Sequence, residues 1–253
     1  MHAEDRRQLI AEELRRKGRV SVSRLAMVYE VTPETVRRDL VELEQRGALR
    51  RIHGGALSHE RMQVEPGVTE RSTLMAAEKA RIAAAALEFL PDAEGTVLID
   101  AGTTTGALVE QFPADRRLTV VTNALPLAMR LSPLPLVTVM VVGGRVRERT
   151  LANVDDFALR MLGELRVDVA FMATNGVTER GCSTPDLAEA AVKRAMIAAA
   201  DRTVLLADHT KFGQEHFVRF ADLGDLDVVI TDDKAGASDL LPFQVADIEM
   251  VVA

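Results

Sequence analysis

The 253-residue chain contains a single cysteine, Cys182. One thiol excludes an intramolecular disulfide and fits a reducing cytoplasm, and Cys182 reads as a small packed residue rather than a nucleophile. No apolar stretch reaches the length needed to span a bilayer, and no charged leader with an apolar run precedes the first helix. No membrane partner is expected, and the predicted location is cytoplasmic. Internal repeats are lacking, and the alanine-rich faces at 83–86 and 198–200 read as close helix packing. His209 and His216 accompany Asp208 but match no usual metal spacing, so neither a metal nor a cofactor is expected.

What is present divides in two. The 47% hydrophobic content is ample for a sizeable core, and the length suits one small and one medium domain. Residues 1–58 hold 12 Lys/Arg against 9 Asp/Glu, whereas 59–253 hold 19 against 29. A basic head on an acidic body predicts that only the head touches a phosphate backbone.

The head is written most clearly between Val31 and Ala56. Thr32 is placed to cap a helix with Pro33 in its first turn, where a missing donor costs nothing. Val36, Leu40 and Leu43 make one apolar stripe, while Glu34, Thr35 and Arg38 point away from it and Arg37 sits at its border. Gly47 is placed to end this helix, and 49–52 can pair with 56–57 across His53-Gly54-Gly55, giving a basic hairpin with Arg50, Arg51 and His53. Upstream, Leu9, Ile10 and Leu14 mark a first helix stopped by Gly18. Leu25, Ala26 and Tyr29 mark a second, opening near Ser21 or Ser23. The short turn before Thr32 is that of a helix-turn-helix, and the hairpin makes it winged. A helical bundle with an incidentally basic surface is the alternative; three helices, a tight turn and a basic hairpin together favour double-stranded DNA.

Residues 59–75, polar and aperiodic with Pro66-Gly67, read as a linker. From 76 onward comes a helix over 76–89, then apolar strand-like runs at 97–99, 118–121, 137–142, 167–172, 204–207 and 228–230, most separated by helical stretches. Continuous apolar runs alternating with helices predict an α/β domain with a parallel-rich sheet covered on both faces. In such sheets ligands sit outside the carboxyl ends of the strands. There the chain places Asp100, Gly102, Thr103, Thr104 and Thr105, then Thr122-Asn123, Gly143-Gly144-Arg145, Thr174-Asn175-Gly176, and Asp208 with Lys211. Gly102 lets backbone approach an anion while free amides and threonine hydroxyls converge on it, which suits a phosphate monoester. Singly, each piece has a plainer reading: the threonines and Asn123 as helix caps, Gly143-Gly144 as a turn, Glu189 and Lys193 as an exposed i,i+4 ion pair.

Thr35-Val-Arg-Arg-Asp-Leu40 and His53-Gly-Gly-Ala56 resemble the "T-x-R-R-D-L" helix and "hGGA" wing of the DeoR family of bacterial transcription regulators. The likeness covers nearly all of the chain. It implies that Asp100–Thr105, Thr122-Asn123, the Glu-Ala-x-x-Lys-Arg pattern from Glu189 through Lys193 to Arg194, and Asp208 to Lys211 build a pocket for a phosphorylated sugar. The fold it implies is similar to ribose-5-phosphate isomerase. The chain departs from the family at Leu151-Ala-Asn-Val-Asp-Asp156, where many relatives carry a glycine.

Two functions follow. One is a repressor, at least a dimer and either dimeric or tetrameric, whose hold on an operator weakens when a sugar phosphate binds. Thr32, Glu34, Thr35, Arg37, Arg38, Arg51 and His53 would face DNA. The other is a sugar-phosphate isomerase with a DNA-binding head, using Asp208 or Glu189 as base and Lys211 as electrophile. Nothing in the sequence forces a base and an electrophile into contact, so the regulator is favoured.

Overall fold

The computed structural model describes residues 3–17, 19–46, 48–52, 54–58, 67–92 and 94–253. The chain forms two compact units that divide between Glu65 and Pro66.

In the first unit, helices α1 (Ala3–Lys17), α2 (Val22–Val28) and α3 (Pro33–Gln45) pack with strands β1 (Arg19–Ser21), β2 (Leu49–Ile52) and β3 (Gly55–Ser58). The Ser21 side chain accepts from the Arg24 amide and caps α2; Thr32 accepts from the Thr35 amide and caps α3, with Pro33 in its first turn. Between them Glu30 takes a left-handed φ of 53°, which turns the chain sharply. Val36, Leu40 and Leu43 are buried with Ile10, Leu14, Leu25, Leu49 and Ala56 in one core. The wing is broader than the hairpin expected, because β1 pairs with β3 and makes a three-stranded antiparallel sheet, β1-β3-β2. The expected helix stops Gly18 and Gly47, the wing residue His53 and the side chain of Arg51 lie outside the described residues.

The second unit begins earlier than expected. Residues 59–66 of the expected linker lie outside the described residues, but Val68–Thr73 is a helix, α4, and the Val68 amide donates to the Arg149 carbonyl at 3.0 Å. Then come α5 (Ala76–Ala86), β4 (Thr96–Ile99), α6 (Thr103–Glu110), β5 (Leu118–Thr122), α7 (Leu125–Leu131) and β6 (Val137–Val141). They are followed by the hairpin strands β7 (Arg145–Arg147) and β8 (Ala152–Val154), and by α8 (Asp156–Gly163) and β9 (Val167–Ala173). The chain continues through β10 (Gly176–Thr178), β11 (Gly181–Thr184), α9 (Leu187–Ala198), β12 (Ala200–Leu206) and β13 (Val218–Ala221). It closes with β14 (Val228–Thr231), α10 (Ala237–Val245) and β15 (Glu249–Val252).

Seven of these strands form one parallel sheet, ordered β15-β14-β12-β9-β4-β5-β6. Side chains alternate between its faces, so Val97, Ile99, Val120 and Phe171 pack under α5, α6 and α7, while Leu98, Val121, Ala170 and Met172 pack under α8, α9 and α10. Two buried faces require apolar residues at every position, which is why these strands read as unbroken runs. The chain winds outward from β4 through β5 to β6, then returns to the other side of β4 at β9. The order therefore reverses between β4 and β9, where a crevice opens at the carboxyl ends. Among the described residues no helix is long and apolar enough to cross a membrane.

Candidate functional site

A shallow cleft lies at that reversal point. Its wall is built from the β4–α6 loop (Ala101, Gly102, Thr103, Thr104), the end of β9 (Ala173, Thr174, Asn175), Thr150, Glu189 and Lys193 of α9, Lys211, and Arg71 of α4.

Close approach shapes the floor. A Cβ on Gly102 would stand 2.5 Å from the Ala173 Cβ and 2.9 Å from Thr105 Oγ1, so only glycine lets the loop run this close to β9. The first turn of α6 follows at once, and its leading amides have no partners within the helix. An anion there meets N–H groups and the positive end of the helix.

Asp100 and Lys193 form a buried ion pair beneath this turn, their side chains 1% and 6% accessible. The Asp100 Oδ2 also accepts from the Ala173 amide at 3.0 Å, and Lys193 Nζ donates to the Ala173 carbonyl at 2.9 Å. The lysine thus ties β4, β9 and α9 together while one side of it faces the cleft. Glu189, one turn earlier, accepts from the Thr150 and Thr184 hydroxyls and from Arg147 at 3.4 Å. The plainer reading of Glu189 and Lys193 as an exposed pair is wrong, since both are buried and each has another partner.

Several expected site residues stand off the wall for identifiable reasons. The Thr105 hydroxyl turns inward and donates to the carbonyls of Asp100 and Gly102. Thr122 Oγ1 accepts from the Ala124 amide and shapes the turn after β5, while Asn123 Oδ1 accepts from the Ala101 amide at 3.0 Å and locks the β5 end against the β4 loop. Gly144 has a φ of +140° and packs its Cα against the Val154 carbonyl, a turn requirement. Arg145 is exposed and donates to Asp155 at 2.6 Å. Arg147 stands behind the wall instead, pairing with Asp186 at 3.2 Å and with the wall residue Glu189. Asp208 is buried, caps the short turn His209–Lys211 by accepting from the Thr210 amide, and so aims the chain that presents Lys211.

Sequence reasoning missed Thr150, Arg147 and Arg71. Thr150 and Arg147 belong to the β7–β8 hairpin, whose strands are too short to show alternation. His209 is held by Asp232 at 2.9 Å. Among the described residues no group of three His, Cys, Asp or Glu side chains is arranged to hold a metal ion. Cys182 is buried and its thiol is pushed up to about 12 by desolvation, which keeps it protonated and inert.

Lys79 of α5 is buried beside the cleft, and its Nζ donates to the carbonyls of Arg71 and Leu74, both at 2.6 Å. Burial depresses its ammonium from 10.5 to about 8, with the Asp208 charge opposing the shift. Between about pH 8 and 10.5 the folded chain therefore binds fewer protons than the unfolded one, and stability rises with pH across that window. Urea unfolding of wild type and Lys79→Met at pH 7.5 and about 10 checks this; identical pH dependence in the two proteins contradicts the assignment.

On the first unit, α3 turns Thr32, Glu34, Arg37 and Arg38 to solvent, with Thr35 half-buried. Arg37 makes only an exposed i,i+3 pair with Glu34 at 3.3 Å, so exchange for a phosphate costs little. Asp39, on the opposite face, is buried and accepts from Arg6 at 2.6 Å and Arg7 at 3.2 Å.

Comparison with known proteins adds identity to this geometry. Residues 6–62 match a family model described as the DeoR-like helix-turn-helix domain, and 75–233 match the DeoR C terminal sensor domain. An uncharacterised HTH-type transcriptional regulator, FruR, of Bacillus subtilis is 35% identical over 231 residues, covering 90% of each chain. A lactose phosphotransferase system repressor of Staphylococcus aureus is 34% identical over 235 residues, covering 92% of this chain and 93% of that one. Among solved structures, the sorbitol operon regulator SorC of Klebsiella pneumoniae aligns with a TM-score of 0.41 at 10% identity, covering 98% of this chain and 96% of that one. Ribose 5 phosphate isomerase A of Neisseria gonorrhoeae aligns with a TM-score of 0.39 at 16% identity, over 56% of this chain and 54% of that one. With a DeoR-like helix-turn-helix ahead of a DeoR sensor domain, and relatives above 30% identity along most of its length, the chain belongs to the DeoR family of transcriptional regulators.

Proposed function

We propose that the protein is a repressor of sugar-metabolism genes whose grip on an operator weakens when a phosphorylated sugar occupies the cleft. One observation carries this reading: the α6 N-terminus, Lys193, Lys211 and Arg71 converge on a cleft also walled by Thr103, Thr104, Thr150 and Asn175. Amides and cations answer a phosphate, and hydroxyl, amide and carboxylate groups answer sugar hydroxyls. The lactose phosphotransferase system repressor among the relatives supports a sugar-linked role. No cofactor is needed for it.

The isomerase alternative lacks a base in place. Asp208 is not on the cleft wall, and Glu189 already accepts from Thr150, Thr184 and Arg147. Calorimetric titration with a panel of phosphosugars, followed by analysis of the recovered sugar, tests the proposal. Binding without conversion supports the regulator, and turnover refutes it.

Thr32, Glu34, Thr35, Arg37 and Arg38 form the DNA-reading face, with the wing gripping the flanking backbone. A single head with so few cations binds weakly, so the protein acts as a dimer or tetramer that spans paired half-sites. Arg38→Ala weakens operator binding by about 1–3 kcal/mol if it reads a base edge and flattens the salt dependence if it contacts phosphate. Measured affinity and salt slope both equal to wild type would remove Arg38 from the interface.

A further inference from the structure

Helix α4 brings an arginine to the cleft from the stretch of chain that leads in from the DNA-binding unit. It is the first described element after the division at Glu65/Pro66 apart from Gly67, and its Arg71 stands on the wall with Thr103, Thr104, Lys193 and Lys211. None of its six residues is fully buried, so its apolar anchorage is slight. A helix this short has no stability of its own. Among the contacts that hold it are the Val68 amide on the Arg149 carbonyl, next to Thr150 of the cleft, and the buried Lys79 ammonium on the carbonyls of Arg71 and Leu74. Met75, in a left-handed conformation, then turns the chain into α5. Elements with few buried contacts sit at the low end of local stability, and a bound ligand contributes a large share of what keeps them in place.

Charge directs the ligand toward the same helix. Arg71 and Lys211 stand on the wall with Lys193, so three cationic side chains line the cleft. A guanidinium suits a phosphate because its planar fork donates two parallel hydrogen bonds, which fixes orientation as well as position.

We propose that Arg71 is an effector-binding residue and the coupling residue of the sensor: its guanidinium engages the phosphate, and occupancy of the cleft thereby fixes α4, through which the state of the cleft reaches the chain entering from the DNA-binding unit. This rests on the reading of the cleft as a sugar-phosphate pocket. A ligand shifts an equilibrium only by unequal affinity for its two states, and a contact to α4 itself supplies that inequality.

Amide hydrogen exchange of the full-length protein, with and without fructose 1-phosphate, ribose 5-phosphate or inorganic phosphate, reads the effect directly. At least one of the sugar phosphates is expected to slow exchange in residues 69–75 by tenfold or more. The same sugar phosphate is expected to bind Arg71→Gln at least tenfold more weakly, with part of the affinity recovered in Arg71→Lys. Binding to wild type that leaves 69–75 unprotected, or equal affinity in Arg71→Gln, overturns the coupling role and leaves the pocket standing. If neither sugar phosphate binds wild type, the pocket reading falls and the proposal with it. Should Arg71→Gln fail to fold, exchange in wild type alone decides.

Discussion

Asp39→Ala is expected to abolish operator binding and to destabilise the N-terminal unit by about 3–5 kcal/mol, although Asp39 lies on the buried face of α3, away from the exposed Arg37 and Arg38. Its carboxylate is 3% accessible and joins α3 to α1 by accepting from Arg6 and Arg7, and the Arg6 side chain is itself only 7% accessible. Removing the acid leaves a guanidinium buried without its counter-charge. A domain of this size has a stability of roughly 3–9 kcal/mol in total, so the loss consumes most of it. The exposed Arg37–Glu34 pair in the same helix sets the contrast, since Glu34→Ala costs at most about 1 kcal/mol of stability. Denaturant unfolding of the full-length proteins measures both, and an Asp39→Ala loss below about 1 kcal/mol would show that the buried pair does not hold the head together.

Lys193→Met is expected to produce the second large effect, about 3–5 kcal/mol in the sensor unit together with loss of effector binding. The substitution keeps the length and apolar body of the side chain but strands the Asp100 carboxylate, which is 1% accessible, and takes a donor from the Ala173 carbonyl. Asp100→Asn added to Lys193→Met removes the stranded charge and still accepts from the Ala173 amide, so stability returns in part while effector binding does not. That divergence separates the lysine's structural role from its role toward ligand. A double variant no more stable than Lys193→Met would deny that the stranded charge is the source of the loss.

Asp39 shows how far the sequence could be read. The Arg37-Arg38-Asp39-Leu40 run announces a DNA-binding helix, but the Asp39 partners lie more than thirty residues away on α1 and leave no local pattern. The sheet is legible for the opposite reason. Each of its inner strands buries both faces and so writes an uninterrupted apolar run, whereas β15 is a short edge strand opening with Glu249, and α10 carries Pro242 inside it. Both were hidden by local composition. The rim of the sheet was legible as a place, since polar residues cluster after the strands, but not as a set of contacts. Thr103 and Thr104 line the cleft and Thr105 does not, because successive residues on a helix turn by about 100°. Arg145 and Arg147 differ in burial and in partners, the first exposed and paired with Asp155, the second largely buried and paired with Asp186 and Glu189. Arg71 was out of reach, because a six-residue helix without a buried side chain has no periodicity to find.

The central claim is that sugar-phosphate binding in the sensor cleft loosens the hold on DNA. It is tested most directly by titrating phosphosugars into the complex of the full-length protein with DNA from upstream of its own gene, at fixed salt, for wild type and for Thr104→Val. Thr104 lines the cleft, and valine keeps the shape of its side chain while removing the hydroxyl. The account predicts that one phosphosugar releases specific DNA from wild type and that Thr104→Val needs a higher concentration of the same sugar. A specific complex that no phosphosugar shifts, or that both proteins release at the same concentration, would contradict it.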